Sequence, residues 1–222
     1  MSVRVAAYYA PAPDDPLWGA ACAWLGRDAE TGAAVVQPDV AGIAELTEAP
    51  RLYGFHGTLK PPFRVATSYG AVVEGARAVA ARVAPFELPA LRVVEVSGFL
   101  ALREMEACPA LHGLADACVV GLDGHRAAAD EGELARRRRG GLGAAQEAML
   151  VRWGYPHVME TWFFHMTLTR RLSEGELARV MPLAEAHFAG VLGGRVVEDV
   201  ALFTQREGGA PFLVAERVGL GG

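Results

Sequence analysis

Cysteine is scarce in this chain: Cys22, Cys108 and Cys118 are the only three among 222 residues. The number is odd, and no C-x-x-C or Cys/His zinc spacing occurs, which argues against a disulfide framework or a structural zinc site and leaves reduced thiols. Long apolar runs are missing too. Each is cut by Arg, Glu, Gly or Pro well short of the roughly 18 residues a membrane helix needs. The opening Met-Ser-Val-Arg-Val-Ala-Ala-Tyr-Tyr has no basic segment leading into an apolar core and a small-residue cleavage site. A soluble, cytoplasmic protein with no membrane partner is therefore expected. There is no G-x-x-x-x-G-K-[ST] phosphate loop, no strand-linked G-x-G-x-x-G, no G-x-S-x-G elbow and no Cys/His nucleophile pattern. Gly208-Gly209 reads as a hairpin turn. Positive charge is not in surplus: the net charge of −5 and pI near 5.7 speak against a general nucleic-acid surface, while leaving room for a small basic pocket.

With 52% hydrophobic and 21% charged residues, the chain has the material for a substantial core. Val3, Val5, Ala7 and Tyr9 alternate as an opening strand, and Asp14-Asp15-Pro16 supplies caps and a first-turn proline for a helix to about Leu25, stopped by Gly26. The stretch from Arg27 to Pro50 reads as connecting loop with room for a short helix. Val72, Ala76, Val79 and Val83 form the stripe of a helix closed by Pro85, and Leu91 to Leu102 is strand-like. Helical segments follow at 110–119, at 131–139 with Asp130 and Glu133 in capping-box spacing, and up to Trp153, with Gly140-Gly141-Leu142-Gly143 as a break. Ser173 and Glu176 cap a helix whose apolar stripe is Leu177, Val180, Met181, Ala184 and Phe188, with Leu172 and Leu177 as a hydrophobic staple. Strands near 195–203 and 211–218 close the chain.

What dominates the sequence is a doubled string, Gly54-Phe55-His56-Gly57-Thr58-Leu59-Lys60 and Phe163-Phe164-His165-Met166-Thr167-Leu168-Thr169. Strand alternation turns Phe55, Gly57 and Leu59 one way and His56, Thr58 and Lys60 the other. In the second copy Phe164, Met166 and Leu168 take the core face, while His165, Thr167 and Thr169 share the other with Phe163. Each copy is followed by a helix and then by a valine-rich strand, Val93-Val94-Glu95-Val96 or Val196-Val197-Glu198-Asp199-Val200. The valine pairs lie 37 and 31 residues after their histidines. This faint repeat predicts related halves with the two strings side by side about a pseudo-twofold axis, although the histidines stand 109 positions apart.

Together with the flanks Arg51-Leu52-Tyr53 and Pro61-Pro62-Phe63, the run Arg136 to Arg139, and Arg152-Trp153-Gly154-Tyr155-Pro156, these strings make the whole chain resemble the two-histidine phosphoesterase superfamily, in its branch associated with phosphonate (carbon-phosphorus lyase) metabolism. The departure is Gly57 where alanine is expected; facing away from the cleft, it should matter little. The resemblance implies an α+β fold with antiparallel sheets lining a central cleft and helices outside. One bilobal domain over 1–222 is implied, with lobes of about 1–104 and 105–222. It further implies a metal-independent phosphoesterase without a cofactor, in which His56 and His165 act as general acid and base and Thr58 and Thr167 bind phosphoryl oxygens. Imidazole, with an ordinary pKa near 6.5, suits either role.

Lys60 and Arg171 are further candidates for the phosphate, with Tyr53, Arg51, Arg137, Arg138 and Tyr155 as secondary ones. His112, His125, His157 and His187 lack a threonine partner and read as surface or helix residues. Trp18, Trp24, Trp153 and Trp162 read as packing residues, with Trp162 or Tyr155 as possible nucleobase platforms. The expected substrate is a small cyclic phosphodiester or phosphorylated sugar. The rival readings are an RNA or nucleotide 2′,3′-cyclic phosphodiesterase, a non-catalytic phosphate-ligand binder and a metal-dependent hydrolase.

Overall fold

The computed structural model describes residues 3–222. The chain opens with β1 (Arg4–Tyr9) and α1 (Pro16–Leu25). Asp15 caps α1 by accepting from the Leu17 amide at 2.8 Å, Pro16 fills its first turn, and Gly26 ends it at φ +79°. In place of one short helix the connecting stretch holds two, α2 (Ile43–Leu46) and α3 (Glu48–Tyr53), followed by β2 (Gly57–Arg64) and α4 (Tyr69–Ala80).

After β3 (Phe86–Leu88), the strand-like region Leu91 to Leu102 is a hairpin rather than one strand: β4 (Leu91–Val96) turns at Ser97-Gly98 into β5 (Phe99–Glu104). Ser97 (φ 48°) and Gly98 (φ 89°) both take the left-handed conformation that a two-residue hairpin turn demands. Next come α5 (Pro109–Gly121), α6 (Glu131–Arg138) and α7 (Ala144–Trp153), then the two-residue strand β6 (Met166–Thr167) and α8 (Glu174–Phe188) with its Ser173/Glu176 capping box. The closing region is split into β7 (Arg195–Val197), β8 (Asp199–Gln205) and β9 (Leu213–Gly219).

Seven strands make one antiparallel sheet in the order β4-β5-β6-β2-β1-β8-β9, while β3 and β7 pair separately. The two strings are therefore neighbours at the centre, joined where Gly57 pairs with Met166. About that point the sheet is nearly symmetric. β4 follows β2 in sequence but lies beyond β6, and β8 follows β6 but lies beyond β2. Likewise α4 packs on β8 and β9, whereas α8 packs on β4 and β5. A division at residue 104 thus does not divide the sheet, because β6 stands between strands of the first half. β1 lies between β2 and β8 and is covered on both faces, so Val5 to Tyr9 are all buried and the expected alternation disappears.

Candidate active site

The pairing of Gly57 with Met166 fixes the site's geometry. Carried one residue either way, the antiparallel register sets His56 opposite Thr167 and Thr58 opposite His165, on the sheet face away from the buried Phe55, Phe164 and Met166. Each histidine thus meets the other motif's threonine, and the two imidazoles sit diagonally. Diagonal positions in such a pair are about 7–8 Å apart, enough to hold a phosphoryl group between them. Gly57 turns out to be required by packing: an added Cβ would collide with the ring of Phe164. The departure from alanine therefore matters, because Phe164 fills the space an alanine methyl would need.

The two histidines share one tether. Nδ1 of His56 donates to the Gly54 carbonyl at 2.8 Å, and Nδ1 of His165 to the Phe163 carbonyl at 3.2 Å, each two residues upstream. A carbonyl can only accept, so both neutral rings carry their proton on Nδ1 and present a bare Nε2. Their surroundings differ. His56 stacks on Tyr8 (centroids 3.7 Å, 19°), and its pKa is pushed down to about 4, chiefly by burial, against the Gly54 carbonyl and with a smaller contribution from nearby His165. His165 stacks on Phe163 (4.8 Å, 28°); burial lowers it too, with Arg103 and His157 adding positive charge and the Phe163 carbonyl opposing.

His165, Thr58, Arg171, Tyr155 and His157 line a cavity of about 280 Å³ walled by Phe99, Trp162 and Phe163. Arg171 donates to the Ser97 carbonyl at 2.6 Å and has no carboxylate partner among the described residues. Trp162 donates from Nε1 to the Thr58 carbonyl at 2.8 Å, so it holds the first motif as well as walling the cavity. Thr167 is half-buried beside Met166. Tyr53, with its ring 6.3 Å from that of His56, and Arg137, whose guanidinium lies 4.7 Å over Tyr155, border the site.

Other candidates lie elsewhere. Lys60, the chain's single lysine, is buried and donates to the Val119 carbonyl at 2.8 Å, with Asp123 at 3.5 Å. Val119 is in the last turn of α5, whose free carbonyls attract a cation, so Lys60 serves that helix end. β2 carries a bulge here, since Tyr8 pairs with Thr58 but Ala7 with Lys60, which breaks the alternation expected for Lys60. The gap beside it is only 20 Å³, room for one water but not a phosphate. Arg51 is spent on the carbonyls of Leu25 and Ala44 and on Thr47, and Arg138 on Glu147. Thr169 is buried, its hydroxyl accepting from the Leu100 amide at 3.0 Å.

Tyr8, Arg103 and His157 are the functional candidates that sequence reasoning missed. Tyr8 lies in the opening strand with nothing in the sequence to single it out, and His157 lacks a threonine partner. The only hint for His157 was its place two residues after Tyr155 in a Gly-Tyr-Pro turn. His112, His125 and His187 bond to the Met159 carbonyl, Thr67 and the Ala20 carbonyl. Among the described residues no three His, Cys, Asp or Glu side chains converge as a metal site, and no helix is long and apolar enough to cross a membrane.

Comparison with known proteins adds the following. A protein of Janthinobacterium sp. (strain Marseille) called ribose 1,5-bisphosphate phosphokinase PhnN is 38% identical over 231 residues, covering 99% of this chain and 51% of that protein. A protein of the same name from Laribacter hongkongensis (strain HLHK9) is 37% identical over 222 residues, covering 98% and 52%. The chain spans about half the length of these curated relatives. Among solved structures, E. coli LigT complexed with 3′-AMP aligns over 99% of both chains with a TM-score of 0.48 and 14% identity, and a crystal structure described as a phosphoesterase does so with 0.47 and 12%. The family described as "Protein of unknown function (DUF1045)" matches residues 58–213, and the chain belongs to it.

Proposed function

We propose that this protein is a phosphoesterase that opens a cyclic phosphodiester on a small phosphorylated sugar, by general acid-base catalysis between His56 and His165. The observation that carries this reading is the diagonal pair of imidazoles, each tethered through Nδ1 to its own backbone and each opposite a threonine hydroxyl. His56, the more strongly depressed of the two, is the base: its Nε2 takes a proton from water as the water oxygen bonds to phosphorus. His165 enters the reaction protonated, its proton favoured by the arriving anionic phosphate, and gives it through Nε2 to the sugar oxygen as the ring P–O bond breaks. The products are a phosphomonoester and a free hydroxyl, and proton exchange with water restores the pair. Thr58, Thr167 and Arg171 donate to phosphoryl oxygens whose charge grows in the transition state.

The curated relatives' name supports a ribose phosphate as the ligand class. Only the ligand class is taken from that name: this chain spans about half the length of those relatives and has no G-x-x-x-x-G-K-[ST] loop to hold a nucleoside triphosphate. A second reading, a nucleoside 2′,3′-cyclic phosphodiesterase, is favoured by the Tyr155 and Trp162 rings at the cavity. Turnover of ribose cyclic phosphates, nucleoside cyclic phosphates and RNA cyclic ends, followed by phosphorus NMR with and without chelator, tests both. The proposal expects chelator-resistant ring opening of a small substrate. Preference for an oligonucleotide would move it to the second reading, and binding without turnover of any substrate would leave only a phosphate-ligand binder.

A further inference from the structure

Next to the histidine cavity lies a second pocket, of about 490 Å³, into which Arg4, Arg64, Arg136 and Arg137 all project. Two carboxylates, Asp130 and Glu133, share its wall and neutralise part of this charge. Arg64 lies 3.4 Å from Asp130 and 3.8 Å from Glu133, and Arg137 lies 2.7 Å from Glu133. Arg4 and Arg136 have no carboxylate within 4 Å among the described residues; Arg4 donates to the Gln205 amide oxygen at 3.0 Å and lies over the Phe212 ring. The Nε of Arg137 is buried with no hydrogen-bond partner. The pocket wall thus keeps two positive charges in excess, in a chain whose net charge is −5.

Aromatic rings join the two spaces. Arg137 stacks on Tyr155, which lines the histidine cavity, and Tyr53 lines the arginine pocket while lying beside His56. A ligand held in both would run past the Arg137–Tyr155 and Tyr53–His56 contacts. Resting on the acid-base reading above, we infer that the arginine pocket binds a second phosphate, so that the substrate class is a cyclic phosphodiester whose sugar carries a separate phosphomonoester. A phosphomonoester bears about −1.5 to −2 charges near neutral pH, which matches the excess, and guanidinium forks suit its three terminal oxygens.

The test is calorimetric binding of two probes, adenosine 2′,3′-cyclic phosphate and the same compound bearing a 5′-phosphate, to the wild-type protein and to an Arg4→Gln/Arg136→Gln double variant shown by circular dichroism to be folded. The wild type is expected to bind the 5′-phosphorylated probe at least about 10-fold more tightly. In the double variant that ratio should fall toward one. Equal affinities in the wild type, a ratio untouched by the double variant, or no binding of either probe would overturn the inference. A ratio that behaves as expected while neither probe is turned over supports the second-phosphate site and removes the proposed catalysis instead.

Discussion

His56 and His165 have the same local construction and different neighbourhoods. In both, Nδ1 donates to the carbonyl two residues upstream and Nε2 is left bare. His56 heads an eight-residue strand and lies flat on Tyr8, whereas His165 precedes a strand of two residues and sits among Phe163, Arg103 and His157. The motif therefore dictates the tautomer, and the tertiary surroundings dictate the proton affinity. Under the proposed division of labour, one His-x-Thr string would serve as base and the other as acid without any change in the motif's own residues.

The strongest way to break this contrast is to remove the rings one at a time. His56→Ala and His165→Ala should each lower kcat/KM by about 10²–10⁴-fold. The pH profile of the residual activity separates them: loss of the base removes the acidic limb, and loss of the acid removes the alkaline limb. Identical profiles for the two variants would mean that the roles are not divided as proposed.

Stability against pH offers a second, weaker lever. Folded His56 resists protonation down to about pH 4, while in the unfolded chain it takes its proton near 6.5. Its contribution is complete above pH 6.5 and declines as the pH falls toward 4, by about 3 kcal/mol in all. Urea midpoints followed across that window should show a shallower decline in His56→Gln than in the wild type, and a slope unchanged by that substitution would refute the assignment.

Two packing changes sharpen the comparison further. Gly57→Ala should cost about 1–3 kcal/mol in chemical denaturation, because the new methyl meets the Phe164 ring, and pairing it with Phe164→Leu should recover part of the loss. The smallest effect on turnover is expected for Lys60→Met. With Asp123 still held by Arg126 at 2.8 Å, kcat/KM should stay within about threefold of wild type, whereas a phosphate-binding lysine would cost far more.

Much of this was legible in the chain. The caps at Asp15 and Ser173, the stop at Gly26 and the stripe of α8 are local signals, and they mark real helix ends and faces. The adjacency of the two strings followed from their repetition. Three things were not legible, each for a nonlocal reason. Lys60 lost its inward direction to a bulge that arises from pairing with β1. The burial of both faces of β1 depends on what covers the sheet. His157 and Tyr8 reach the histidines only through chain packing that brings 8, 56, 157 and 165 together.

The crossing of the halves has a kinetic consequence. β1 pairs with β8 across nearly the full chain, and β2 meets β6 only after α5, α6 and α7 have been threaded between them. Contacts so distant in sequence slow folding, and no early segment can close the centre of the sheet by itself. The paired imidazoles are thus among the last features to form, and during refolding recovery of turnover should trail recovery of helical circular dichroism.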